Sequence, residues 1–158
     1  MILIRPSTQA DAIYLGLNLR PDDEQEVRTA SSKEPVMAML DSFDSSTLCF
    51  TVWELWDGNV IRGPIGMFGV VPDDTLENGL VWFLGTPQVE RHSLSVFREA
   101  PLWLDFMASW FPTGRLFSYA DARNRLHVGW CKAMGFTLDE RRDQTIKNQR
   151  FLYIERPR

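Results

Sequence analysis

Few side chains in this 158-residue chain have a type and spacing suited to chemistry. The two cysteines, Cys49 and Cys131, lie far apart, as expected of reduced cytosolic thiols rather than a bridge. The two histidines, His92 and His127, stand alone. With no Cys-x-x-Cys and no His-Glu pair at helical spacing, no metal site is expected. There are 17 basic and 21 acidic side chains, a net charge of −4, so no basic excess exists to displace counterions from nucleic acid. The six tryptophans (Trp53, Trp56, Trp82, Trp103, Trp110 and Trp130) are expected mainly in the core, with Trp82 the exception to watch.

The elements that must position these groups can be read from local signals. Apolar residues make up 44% and aromatics 12%, which excludes intrinsic disorder. The length suits one domain spanning residues 1–158, since domains usually run to roughly 100–200 residues. The start, Met1-Ile2-Leu3-Ile4-Arg5-Pro6, is too briefly apolar for a signal peptide or membrane anchor. It reads instead as a short strand. Ser7 or Thr8 caps a helix over 9–17 with Ala10, Ile13, Tyr14 and Leu17 on its apolar stripe. Residues 22–42 read as helical and split at Pro35, with Asp22-Asp23-Glu24 complementing the dipole and Val36, Met37 and Leu40 inward.

Strands follow at 47–56, within 60–71 and at 80–84, the last apolar throughout as expected for burial on both faces. A helical region over 89–111, kinked at Pro101, turns Leu94, Phe97, Leu104, Met107 and Phe111 inward. A fifth strand at 115–120 and a helix over 124–134, stopped by Gly135, lead to a closing hairpin of 136–140 with 150–155. The expected fold is mixed α/β (α+β): a mostly antiparallel sheet of about six or seven strands flanked by helices.

That order, with Asn124 opening the last helix and Gly135-Phe136 closing it, resembles the GNAT N-acetyltransferase superfamily over nearly the whole chain. Superfamily members show Asn-x-x-Ala-x-x-x-Tyr-x-x-x-Gly-Phe at this point. A closer resemblance is to GNAT-like proteins of short-tailed bacteriophages, some labelled internal virion proteins. It is carried by Asn18-Leu19-Arg20-Pro21-x-Asp23, Met67-Phe68-Gly69-Val70, Gly85-Thr86-Pro87-Gln88-Val89-Glu90-Arg91-His92 and Tyr119-x-Asp121-Ala122-Arg123-Asn124.

The resemblance implies acetyl-CoA held between splayed fourth and fifth strands, along Trp82, Phe83 and Leu84, with Asn124 and His127 beside the pantetheine arm. Pyrophosphate would lie on free amides at the start of the following helix, where the dipole favours an anion. The stretch there is Glu90-Arg91-His92-Ser93-Leu94-Ser95, with serines at the two small-residue positions and no glycine. Arg91, His92, Ser93, Leu94 and Ser95 are the cofactor candidates, and an ordinary capped helix start is the alternative.

The family's acid is a tyrosine seven residues after the asparagine. Here Cys131 holds that place, either as a catalytic thiol or as an inert small side chain. Tyr119 is a second candidate acid. Asp121 is the first candidate base, or else a cap for the Asn124 helix, and Glu77 is the second base or a solvated loop residue. The implied activity is acetyl transfer to an amine of a bacterial host protein or a small molecule, in the host cytoplasm or from the virion. The alternative is a weakened scaffold that works by binding protein. Neither nucleic acid nor membrane is an expected partner.

Overall fold

Pro6 closes β1 (Ile2–Pro6), and Thr8 then caps α1 (Gln9–Leu17). In this capping box the Asp11 N–H donates to Thr8 Oγ1 and the Thr8 N–H donates to the Asp11 carboxylate. The structure, a computed structural model, describes residues 1–158 apart from the side chain of residue 60. The helix does not bury the expected stripe: Ala10, Ile13, Tyr14 and Leu17 are exposed, while Ala12 and Leu15 are fully buried. Two contacts turn it. Thr51 Oγ1 donates to buried Asp11 at 3.0 Å. Gly16 also lies so near the third helix that a Cβ there would come within 2.6 Å of Val36 Cα.

Proline occupies the first turn of both α2 (Pro21–Ser31) and α3 (Pro35–Ser45), where its missing N–H costs nothing. Inward on α3 are Ala38 and Met39 rather than Met37, which is exposed. Strands β2 (Leu48–Trp56) and β3 (Val60–Pro72) form an antiparallel pair with two register shifts near Gly63 and Pro64. β4 (Gly79–Gly85) follows, then a 3₁₀ turn (Pro87–His92) and α4 (Ser93–Ala108). The predicted 89–111 helix is therefore shorter, and Leu94 is 80% exposed because α4 turns Val96, Leu104 and Met107 inward.

β5 (Leu116–Asp121) leads to α5 (Arg125–Ala133), which ends at Gly135 with φ +91°, the left-handed stop expected there. The C-terminal segment forms three strands: β6 (Thr137–Leu138), β7 (Gln144–Ile146) and β8 (Gln149–Arg156). Both short strands pair with β8, so the sheet has eight strands where six or seven are expected. Its order is β1-β2-β3-β4-β5-β8-β6 with β7 also on β8, and only β4 and β5 run parallel.

Helices α4 and α5 cover one face of the sheet over Val52, Phe68, Val81, Leu116 and Ala120. Helices α1, α2 and α3 cover the other over Met67 and Leu84. Gly69 permits close packing beside the site. A Cβ there would fall 2.8 Å from both the Leu48 carbonyl oxygen and Ser46 Oγ, and 3.0 Å from the Trp82 indole nitrogen. That nitrogen donates to Ser46 Oγ at 2.9 Å. Gly69→Ala should therefore lower stability by about 1–3 kcal/mol in urea unfolding; an unchanged midpoint would refute this packing.

Candidate active site

β4 and β5 pair only through Gly79 with Leu116 and Leu80 with Phe117, and beyond those pairs they diverge. Main-chain groups along a strand point alternately to its two sides. The Gly79 N–H donates to Arg115 on the β5 side, and the Gly85 N–H donates to Asp23 away from β3. Phe83 has the same parity, so its N–H and C=O face the gap, where the ladder supplies no partner.

A cavity flanks the gap on each face. One of about 80 Å³ lies under α4 and α5 and includes Trp103, Trp130 and Cys131 in its wall. The other, of about 270 Å³, lies between α2 and the β7–β8 hairpin and includes Glu26, Tyr119 and Phe151. Trp82, Phe83, Ser118 and His127 line both, so the two spaces adjoin across the splayed strands.

A buried polar cluster holds the open end. Arg20 Nη2 donates to Asn124 Oδ1 at 2.8 Å and pairs with Asp23 at 2.9 Å. Asn124 Nδ2 donates to Asp23 at 2.9 Å and to Glu26 at 2.8 Å. The Gly85 N–H donates to Asp23, and the Asp121 N–H donates to Glu26, both at 2.9 Å. The Arg20 N–H completes the set by donating to the Gly85 carbonyl. The first turns of α2 thus bridge the ends of β4 and β5, with Arg20, Asp23, Glu26 and Asn124 all buried.

Their protonation follows from that burial. Desolvation pushes the Asp23 carboxyl up, more than Arg20, His127 and Asn124 pull it down. Glu26 is equally penalised by burial, yet the His127 charge and hydrogen bonds hold it below the ordinary value. Burial also works against charge on His127. Glu26 at 3.3 Å from Nδ1, together with Cys131, nonetheless raises its pKa well above the usual histidine value.

No family model and no curated protein sequence matches this chain. Solved structures do. The putative acetyltransferase YncA from Salmonella typhimurium, solved with acetyl-CoA, is 10% identical with a TM-score of 0.70, over 99% of this chain and 94% of its own. The aminoglycoside acetyltransferase AAC(6')-Ib, solved with ribostamycin and coenzyme A, is 11% identical with a TM-score of 0.69, over 99% and 93%. A GNAT-family acetyltransferase from Streptococcus pneumoniae is 16% identical with a TM-score of 0.56, over 99% of both chains. This is the GNAT acetyltransferase fold.

Within the GNAT fold, the residues singled out in sequence fall into three groups. Trp82, Phe83, Leu84, Tyr119, Asn124, His127 and Cys131 gather at the splay or its cavities. Asp121 is beside them but occupied. Burial works to raise its pKa, while the Arg123 side chain at 2.7 Å and the Arg123 N–H together bring it below the ordinary value. The third group lies elsewhere. Glu77 is exposed in the β3–β4 turn, where its N–H donates to Asp73, at the paired end of β4 rather than the open end.

The phosphate-loop candidates are dispersed around the 3₁₀ turn. His92 Nε2 lies 3.1 Å from Glu54 on β2, and the Ser93 hydroxyl donates back to the Glu90 carbonyl at 2.6 Å. Leu94 and Arg91 point outward, and Ser95 is partly exposed one residue further along α4. Arg20 and Asp23 enter the sequence reading only through the resemblance and the helix dipole, with no role in the site, and Glu26 does not enter it at all. Two acids at i and i+3 beside the apolar Val27 are the available signal, since that spacing puts them on one helix face. Among the described residues no His/Cys/Asp/Glu group could hold a metal, and no helix is long and apolar enough to cross a membrane.

Proposed function

We propose that this chain is an acetyl-CoA-dependent N-acetyltransferase. The observation that carries the reading is the gap itself: β4 and β5 part after two pairs, Phe83 turns its main chain into the opening, and a cavity lies on each face. An unpaired strand edge of this kind suits an amide-containing arm laid along it. The apolar wall of the smaller cavity suits the acyl end of the donor, and the larger cavity suits the acceptor. Arg91, Ser95 and the amides of the 3₁₀ turn would meet the phosphates, while Ser93 is already bonded to Glu90. His127, held protonated by Glu26, would give its proton to the departing thiolate in place of the absent tyrosine.

The same reading takes the acceptor to be an amine of a bacterial host protein or a small molecule. It takes the chain to be a bacteriophage product, working in the infected cell's cytoplasm or carried in the virion. Its support is the four sequence segments, three of which contribute Arg20, Asp23, Gly85, Asp121 and Asn124 to the one cluster.

One feature favours binding without turnover. Trp130 packs edge-on against both Phe83 and Phe97, filling space between α4 and α5. Thermal unfolding separates the cases. Acetyl-CoA at 100 times its dissociation constant should add about 2.7 kcal/mol, a rise of roughly 5–10 °C for a chain of this size. No shift at millimolar acetyl-CoA would sink the acetyltransferase reading. A shift without thiol release across an amine and peptide panel would favour the scaffold.

A further inference from the structure

His127 stands between two partners. Its Nδ1 lies 3.3 Å from the Glu26 carboxylate, and Cys131, four residues further along α5 and so on the same helix face, lines the small cavity with it. Glu26 is itself fixed by the Asp121 N–H and by Asn124 Nδ2, so the carboxylate that orients the imidazole has no freedom to swing away. Cys131 and His127 both open onto the small cavity, alongside Phe83 and Ser118. Glu26 and His127 open onto the large one. A sulfur nucleophile, a base neighbouring it on the same helix face and a carboxylate orienting that base are the three parts that activate a thiol. We propose that Glu26, His127 and Cys131 form a catalytic triad in which Cys131 accepts an acyl group from a thioester donor and then passes it to the acceptor. The identity of the donor, acetyl-CoA, rests on the reading given under Proposed function. The nucleophile does not.

The steps balance without any further reagent. Cys131 and His127 share one mobile proton. With that proton on the ring, the sulfur attacks the carbonyl carbon of the donor thioester. The donor's carbon–sulfur bond breaks, and the ring proton goes to the departing sulfur. The products are an S-acyl Cys131, a free donor thiol and a neutral His127. An amine entering from the larger cavity then attacks the S-acyl carbon and loses its proton to His127, and Cys131 departs with the electron pair of its bond. Water in the amine's place would make the chain a thioesterase. The Phe83 N–H, turned into the gap, is available to the carbonyl oxygen in both steps. Glu26 acts through His127 and is a positioning residue. The other titratable groups near the ring include Glu99, in the wall of the small cavity, Tyr119, in the wall of the large one, and Asp23, whose charge reaches the ring.

Cys49 is an internal control. It is half-buried on β2, and desolvation raises its thiol pKa to about 11, so it should react slowly near neutral pH. The protein is incubated without acceptor, first with acetyl-CoA and separately with S-acetyl-N-acetylcysteamine, which carries the thioester but no nucleotide. Intact mass and peptide mapping should show one acetyl group on Cys131, with about one equivalent of thiol released as a burst. Cys131→Ala should abolish both, and Cys49→Ala should change neither. Iodoacetamide should label Cys131 ahead of Cys49. Glu26→Gln should shift the pH profile of that labelling, a change that a merely structural carboxylate would not produce.

If acetyl-CoA raises the unfolding temperature and amine acetylation proceeds while Cys131 stays unmodified, the triad is overturned and direct transfer stands. If acetyl-CoA gives neither a shift nor a label while the short thioester acylates Cys131, the triad stands and the acetyl-CoA reading fails. Should neither thioester label Cys131 and iodoacetamide not prefer it over Cys49, the triad is overturned whatever the donor. Should Glu26→Gln not fold, His127→Asn in the same labelling assay takes its place, with loss of Cys131 selectivity expected and retained selectivity overturning the assignment.

Discussion

Arg20→Ala is expected to cost about 3–5 kcal/mol of folding stability, because it leaves buried charge without its partner. Arg20 is 4% exposed and is the one guanidinium in contact with both buried Asp23 and Asn124. Asp23 already has a raised pKa from burial with Arg20 present, so losing the cation leaves protonation or water entry as its only relief. Asn124 loses the donor to its carbonyl oxygen in the same step. Damage should spread to both strand ends, since Asp23 holds the Gly85 N–H and Glu26 holds the Asp121 N–H. The measurement is urea unfolding against Arg28→Ala. Arg28 pairs at the surface with Glu24 on α2 and with Glu34 at the start of α3, where exposed pairing contributes little. Equal losses in the two variants would show that the cluster does not brace the splay.

The second large effect is on the pH dependence of stability, and its sign follows from the two shifted groups. The folded pKa of His127 is raised, so its contribution is fully present below the unfolded value near 6.5 and disappears as pH rises through the folded value. Glu26 is lowered, so its contribution is present above the unfolded value near 4.5 and disappears as pH falls through the folded value. Asp23 is raised by burial and works against Glu26 on the acid side, favouring the fold most where it is protonated. The His127–Glu26 pair is therefore most stabilising between the unfolded values of 4.5 and 6.5, and weakens on the alkaline side as pH rises toward the folded value of His127.

His127→Gln should remove that alkaline loss and destabilise the protein by about 3–5 kcal/mol near neutral pH, since Glu26 is then buried without its cation. Unfolding midpoints from pH 5 to 9 for both proteins test this. Parallel profiles would mean that His127 is neutral across the range and that the ion pair is wrongly assigned.

Much of the fold was legible because its signals are local. Thr8, Pro35 and Gly135 act within a turn of where they sit, and each starts or stops a helix where expected. The apolar run at 80–84 reads as a strand buried on both faces; it is a strand with Val81 buried on one face and Leu84 on the other, while Leu80, Trp82 and Phe83 are partly exposed. Helix faces were less legible. The stripe of Ala10, Ile13, Tyr14 and Leu17 has the right period, but Asp11 and Gly16 turn α1 the other way through contacts with Thr51 and Val36. The closing pair of 136–140 with 150–155 is present as β6 on β8, but β7 was not legible, because a three-residue strand carries too few residues to alternate visibly.

The sequence by itself determined the succession of strands and helices, the resemblance that named Asn124, His127 and Cys131, and the absence of a basic field for nucleic acid. Each depends on neighbours in the chain or on composition, so folding adds nothing to them. Only the tertiary structure decided which carboxylate meets His127. Glu26 lies 101 residues away in sequence, and its helix reads only as one whose acidic start complements the dipole until packing brings it to the splay. It also decided that Asp121, the carboxylate favoured from sequence, is held by Arg123. Burial makes the difference. An acid on a helix is unremarkable in water, but in the gap between two parting strands it must find a cation and two further donors, and those come from the far half of the chain.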